Sequence, residues 1–138
     1  DSSHVVPTDW SVDAACASAL RLLEAHPDLT ALMCENDMIA LGAYRAMEQL
    51  SRSIPGDISV VGFGNHQSSR YVRPSLTTVQ HDMAGIGRRC VEILFQLMEK
   101  PGEKLLPRSV LDVAVPGNLM LRESTAPPGG VPVTQSVR

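Results

Sequence analysis

The sequence predicts an α/β domain built on a doubly wound parallel sheet, and three observations predict it. Short apolar runs that read as buried strands alternate with longer stretches whose apolar residues recur every three or four positions. The run Ile58 to Val61 is continuously compatible with a strand buried on both faces, as parallel strands usually are. Length and composition agree: 138 residues, 43% hydrophobic and 20% charged, suit one soluble domain with a real core.

Each element can be justified in turn. His4 to Val6 reads as a short strand that begins with no lead-in, as if cut from a longer chain. From Val12 the apolar positions Val12, Ala15, Cys16, Ala19, Leu20 and Leu23 form one helical stripe, with Asp9 or Ser11 as N-cap and Pro27 as its stop. Thr30 to Cys34 is a bounded apolar run and the next strand. A second helix opens at Asn36 and runs to about Leu50, with Ile39, Ala43, Ala46, Met47 and Leu50 toward the core. Ile54-Pro55-Gly56-Asp57 is a turn, and the Ile58–Val61 strand follows it. After a loop to Ser75 comes a short extended piece, Leu76 to Val79. A third helix spans Met83 to Glu99 and ends before Pro101-Gly102. Strands at Val110 to Val115 and Leu119 to Leu121 close the fold, and residues 127 to 138, with three Pro and two Gly, are expected to be a disordered tail. Residues 1 to 126 are thus one functional unit.

Composition and motifs also exclude chemistries. Twelve basic against fifteen acidic residues give a net charge of −3, without the basic stripe of a nucleic-acid-binding domain. The longest apolar run, Met38 to Tyr44, is far short of the roughly 20 residues that cross a bilayer. Cys16, Cys34 and Cys90 are odd in number and lack CxxC spacing, which suits reduced thiols in the cytoplasm and no zinc site. His4, His26, His66 and His81 have no metal-ligand spacing. No nucleophile elbow, phosphate loop or cofactor loop is present, so neither catalytic residues nor a cofactor is expected.

A sheet of this type binds ligands outside the carboxyl ends of its strands, which directs attention to Pro7–Ser11, Cys34–Asp37 and Gly62–Ser68. Trp10, the only tryptophan, sits at a strand-to-helix turn; it is either a stacking face for a ring or a staple over the domain edge. Asn36 can cap its helix and still offer an amide to a ligand hydroxyl. Gly62 and Gly64 in Gly62-Phe63-Gly64-Asn65 suit close backbone approach or a positive φ. Glu35 and Asp37 make a poor acid/base pair because they point to different sides of the turn. Cys34, at a strand end, is expected to be buried and structural. On the second helix Met38, Leu41, Tyr44, Arg45 and Glu48 form a second stripe opposite the core, which requires another contact. The third helix shows a similar excess, with Cys90, Ile93, Leu94 and Leu97 on one side and Val91, Phe95 and Met98 on the other. If nothing covers that extra face, the chain should self-associate.

Four motifs in order, CENDMIALGAYRAM, IPGDISVVGFGN, RPSLTTVQHD and LMLRESTAPP, resemble the effector-binding half of lactose/galactose-repressor-type transcriptional regulators, from about Asp9 to Pro127. The resemblance implies a periplasmic-binding-protein-like fold, of which this chain looks like the C-terminal subdomain plus a crossover helix belonging to a first subdomain outside it. It implies a non-enzymatic sensor of a sugar-like effector. Operator DNA would be bound through a DNA-binding domain that the chain lacks, and a homodimer would form through the second helix at Leu41, Tyr44, Arg45 and Glu48. Trp10 falls where such proteins place a stacking aromatic, and Asn36 where they hold a ligand hydroxyl. Gly64 stands where they usually carry an aspartate, so Asn65 or His66 would take over that contact, or the ligand is less hydroxylated. The alternatives are an extracytoplasmic sugar-binding protein of the same fold and a doubly wound enzyme.

Overall fold

The computed structural model describes residues 2–99 and 114–127. Among the described residues, 2–80 and 119–127 form one compact unit, and 81–99 with 114–118 form a second.

The first unit is a sheet with two helices packed on it. Helix α1 spans Val12–Ala25; the Ser11 hydroxyl accepts from the Ala14 N–H at 3.1 Å, and the Asp9 carboxylate accepts from the Ser11 N–H at 3.0 Å. Both expected capping residues therefore act, one on the helix and one on its cap. Strand β1 is Ala31–Met33, helix α2 is Asp37–Gln49, strand β2 is Ser59–Phe63 and strand β3 is Thr77–Gln80. A 3-10 turn at Gln67–Arg70 lies between β2 and β3. Strand β4, Asn118–Met120, completes a sheet of order β1-β2-β3-β4. β1 and β3 each pair with β2 in parallel, with Leu32 beside Val60 and Gly62 beside Thr78.

The core lies where the expected stripes converge. Cys16 and Leu23 from α1, Ala40, Ala43, Ala46 and Met47 from α2, and Leu32, Val60 and Leu76 from the sheet side form one buried cluster. α1 and α2 are in close contact, with Gly42 against Ala15. The C-terminal segment is stitched into the strand starts: the Ser124 hydroxyl, fully buried, donates to the Val60 carbonyl at 2.5 Å and accepts from the Thr77 N–H at 2.8 Å.

Three expectations need correction. His4–Val6 is not a strand: Ser2–His4 is a 3-10 turn and Val5 and Val6 are irregular. A strand exists only where a neighbour takes its backbone hydrogen bonds, and this segment joins no ladder. The β2 region is not buried on both faces. Ile58 and Val60 are fully buried, whereas Ser59 and Val61 are only half-buried. The side facing α2 is closed, while on the opposite side of neighbouring β1 Met33 is 81% exposed. The last strand starts one residue earlier than expected, at Asn118. The expected Val110–Val115 strand falls outside the described residues up to 113, and Ala114 and Val115 are not in a strand. Of the expected disordered tail, all but Pro127 lies outside the described residues.

In the second unit α3 spans Met83–Glu99, as the periodicity predicts. α3 is the one helix among the described residues of that unit, so Val91, Leu94, Phe95 and Met98 meet no second helix within it.

Candidate functional site

The loops after β1 and β2 are tied together by one buried carboxylate. Asp37 opens α2 and is 2% exposed. Its Oδ1 accepts from the Thr78 hydroxyl at 2.6 Å; its Oδ2 accepts from the Ser69 hydroxyl and the His66 backbone N–H, both at 2.6 Å. Three segments far apart in sequence are thus anchored to the start of one helix. An anion at a helix N-terminus is further stabilised by the partial positive charge of the unpaired amides there. Gly62 is part of the same arrangement. A Cβ at that position would lie 2.3 Å from Asp37 Oδ1 and 2.9 Å from Leu76 Cδ2, so only glycine admits the carboxylate.

Asn36 precedes Asp37 and caps α2, its Oδ1 accepting from the Ile39 N–H at 2.9 Å. Its Nδ2 is buried and has no hydrogen-bond partner. Among the described residues only one other side-chain polar atom shares that condition, Thr8 Oγ1. A buried donor without a partner costs about 1–3 kcal/mol, so each is a position where an acceptor brought from outside would be rewarded.

Beyond β2 the chain reverses through Gly64, at φ +119°, and Asn65, at φ 51°. The Gly64 N–H donates to the Val79 carbonyl at 2.7 Å. Asn65 is already engaged: its Oδ1 accepts from Arg122 Nη2 at 2.5 Å, its Nδ2 donates to Gln80 Oε1 at 3.0 Å, and its N–H reaches Thr78 Oγ1 at 3.2 Å. Burial, and secondarily Arg70, pull the Arg122 guanidinium below its ordinary value. The exposed His66 ring lies 2.9 Å from the Ser68 hydroxyl through Nδ1, so Nε2 is the ring nitrogen outside that contact.

Trp10, on the loop leading into α1, is 73% exposed. It therefore does not act as a staple over the domain edge, and its indole face is available for stacking. Glu35 is exposed and Asp37 saturated, which agrees with their reading as a poor acid/base pair. Cys34 is buried, and burial followed by the Asp37 charge pushes its thiol up to about 12, so it stays protonated and inert at neutral pH. The described residues contain no group of side chains able to hold a metal ion. None of the described helices is long and apolar enough to cross a membrane.

The second stripe of α2 is more engaged than its pattern suggests. The half-buried Tyr44 donates its hydroxyl to the Pro74 carbonyl at 2.9 Å, and Arg45 pairs with Asp13 of α1. Leu41 is half-buried, while Met38 and Glu48 are exposed. Asn36 lies at the start of α2, and Gly64 and Asn65 lie on the turn after β2, the positions the sequence assigns them. The sequence showed Asp37 only as half of a poor acid/base pair and gave no sign of its ties to Ser69 and Thr78 or of the part played by Arg122. The available signal was an aspartate directly following the capping asparagine, paired with a glycine in the next strand.

Comparison with known proteins matches residues 3–125 to the family described as the periplasmic binding protein-like domain. The chain is 37% identical over 125 residues to the lactose operon repressor of Klebsiella pneumoniae, an alignment covering 91% of this chain and 34% of that protein. A LacI family transcriptional regulator from Arthrobacter sp. FB24, solved in complex with lactose, superposes with a TM-score of 0.69 at 29% identity, covering 86% of this chain and 44% of the other. The lac repressor dimer bound to operator and the anti-inducer ONPF superposes with a TM-score of 0.67 at 30% identity, covering 86% and 39%. The chain therefore spans about a third of the length of the curated repressor it matches.

Proposed function

This chain belongs to the LacI family of regulators, through its periplasmic binding protein-like domain, and on that premise we propose that it is the effector-binding and dimerisation portion of a cytoplasmic, non-enzymatic transcriptional repressor that responds to a sugar or related metabolite. The observation that carries this reading is the Asn36 Nδ2 atom, buried and unpaired at the carboxyl end of β1, beside a loop that Asp37 holds in place. A ligand hydroxyl or ring oxygen accepting from that amide removes its desolvation cost. Trp10 supplies an apolar ring face for stacking on a sugar, and the Gly64–Asn65 turn belongs to the loop that Asp37 anchors through the His66 N–H.

Gly64 offers no side-chain acceptor, and the Asn65 oxygen is taken by Arg122. That leaves His66 Nε2 as the replacement polar contact and favours a ligand with fewer hydroxyl donors at this point. Leu41, Tyr44, Arg45 and Glu48 form the dimer surface. The internal partners of Tyr44 and Arg45 prepare that surface, because they hold two long side chains in fixed positions before association. In the longer protein the effector binds one arrangement of the subdomains better than another. That preference alters the affinity of the dimer for operator DNA by the same factor by which DNA alters the affinity for effector.

Effector-dependent operator release, measured on the longer protein with a sugar panel that includes lactose, tests the assignment. Trp10→Ala and Asn36→Ala should each raise the sugar concentration needed for half-release about tenfold or more, corresponding to about 1.4 kcal/mol. Thermal unfolding of the Trp10 variant should be unchanged. A wild-type response retained by both variants rules out this site.

A further inference from the structure

The turn after β2 is tied by side chains to both places where the chain leaves and re-enters the first unit. The chain passes into the second unit after Gln80 and returns at Leu119. Gln80 is the last residue of β3, and Arg122 lies just beyond the end of β4. Asn65 reaches both of them. Its Nδ2 donates to Gln80 Oε1 at 3.0 Å, and its Oδ1 accepts from Arg122 Nη2 at 2.5 Å.

Asn65 is held in a backbone conformation that few residues adopt. Its φ of 51° is left-handed, which asparagine tolerates because a short polar side chain can bond nearby. Its N–H donates to Thr78 Oγ1, and that same hydroxyl donates to Asp37 Oδ1. A continuous chain of hydrogen bonds therefore runs from the start of α2, beside Asn36, through Thr78 and Asn65 to Gln80 and Arg122.

The Arg122 end of this chain has a particular chemistry. Besides Asn65, its guanidinium donates through Nη1 to the Leu76 carbonyl at 2.7 Å, and its backbone N–H donates to Thr77 Oγ1 at 2.9 Å. The residue is half-buried, its acceptors are neutral, and among the described residues no carboxylate forms an ion pair with it. The planar fork of a guanidinium serves two separated acceptors at once, which a lysine ammonium does not. Were Asn65 to move alone, a half-buried cation would be left short of an acceptor. That penalty makes Arg122 follow Asn65 rather than stay behind.

We propose that Arg122 and Gln80 are positioning residues that link the Gly64–His66 turn to the two chain crossings. They govern how strongly an effector alters operator affinity rather than how tightly the effector binds. The proposal rests on the effector reading above. Neither residue belongs to the loops that would touch the ligand. An effector seated against the turn displaces Asn65, which carries Gln80 at the outgoing crossing and Arg122 at the returning one, and the coupling between sites passes through these contacts.

The test uses the longer protein with lactose, ribose and cellobiose as probes. Operator affinity is measured by fluorescence anisotropy with and without each sugar at saturation, and sugar affinity of the operator-free protein by calorimetry. Arg122→Lys keeps the charge and loses the fork; Gln80→Ala, at an exposed position, breaks the other link without touching the half-buried cation. The expected result is that in each variant the ratio of operator affinities without and with sugar falls about threefold or more, while sugar affinity stays within about twofold of wild type. A residue that merely supported the fold would lower the thermal midpoint and leave that ratio alone. An unchanged ratio in either variant, or a loss of sugar affinity in step with the ratio, overturns the inference while the effector reading stands. A wild-type protein that binds operator equally with and without every sugar overturns both.

Discussion

The carboxylate of Asp37 and the missing side chain of Gly62 should be energetically coupled, and the structure sets the size of the effect. Asp37→Ala removes an acceptor of three short hydrogen bonds. Hydrogen bonds to a charged group are each worth about 1.5–3 kcal/mol, but the Ser69 and Thr78 hydroxyls can rotate toward other acceptors, whereas the His66 N–H cannot. Adding the lost anion at the α2 N-terminus, the net cost should be about 4 kcal/mol. Gly62→Ala places a methyl group 2.3 Å from an oxygen that three donors hold still, and overpacking of that kind costs about 2–3 kcal/mol. Once Asp37 is alanine, Leu76 Cδ2 is the one of the three nearest contacts that remains, so the second substitution should cost about 1 kcal/mol. The double variant is therefore expected to be about 1–2 kcal/mol more stable than the sum of the singles. Equilibrium urea denaturation of the four proteins, followed by far-ultraviolet circular dichroism, measures this. Additivity within about 0.5 kcal/mol would show that Gly62 is not glycine on account of Asp37, and the reasoning would fail.

Three further outcomes follow from the same geometry. Burial raises both the Cys34 thiol and the Tyr44 hydroxyl, from ordinary values of 9.0 and 10.0 to about 12. The unfolded chain releases these protons first, so the stability they support is complete below pH 9 and falls as pH rises toward 12, by up to about 1.4 kcal/mol per pH unit for each group; denaturation midpoints across that range, with Cys34→Ala and Tyr44→Phe as controls, test the sign. At pH 8 a thiol reagent should modify exposed Cys90 rapidly and spare buried Cys34 and Cys16 until the protein unfolds; equal rates at all three would contradict the burial. Gly64→Asp should lower stability by about 1 kcal/mol or more, because φ +119° strains any residue with a side chain, yet should tighten binding of a polyhydroxylated sugar by supplying the absent acceptor. Unchanged sugar affinity in a folded variant would separate this position from the ligand.

Local signals explain which parts of the molecule were legible in sequence. Ser11 and Asn36 marked the starts of α1 and α2 because a capping side chain works on amides only two or three residues away. The stripe through Ala43, Ala46 and Met47 is a property of helical spacing, and those residues are buried. Strands depend on partners, and there the reading weakened: His4–Val6 has strand composition but no ladder, and Val61 has core composition but is only half-buried. The candidate site divides in the same way. Asn36 and Gly64 could be found from their place after strands, and the resemblance added to their reading. The ties from Asp37 to Ser69 and Thr78 span 32 and 41 residues, and no periodicity encodes a contact at such separation. The engagement of Asn65 by Arg122, 57 residues later, was hidden for the same reason and removes the oxygen that a ligand contact would have used.

The most direct test of the effector-domain assignment is the operator affinity of the longer protein, measured with and without a sugar panel at one fixed salt concentration, together with sugar affinity measured with and without operator. The expected result is that at least one sugar shifts operator affinity about fivefold or more, and that operator shifts the affinity for that sugar by the same factor. Sugar binding that leaves operator affinity unchanged, or the absence of operator binding altogether, would contradict the assignment and turn attention to a transport-type binding protein of the same fold.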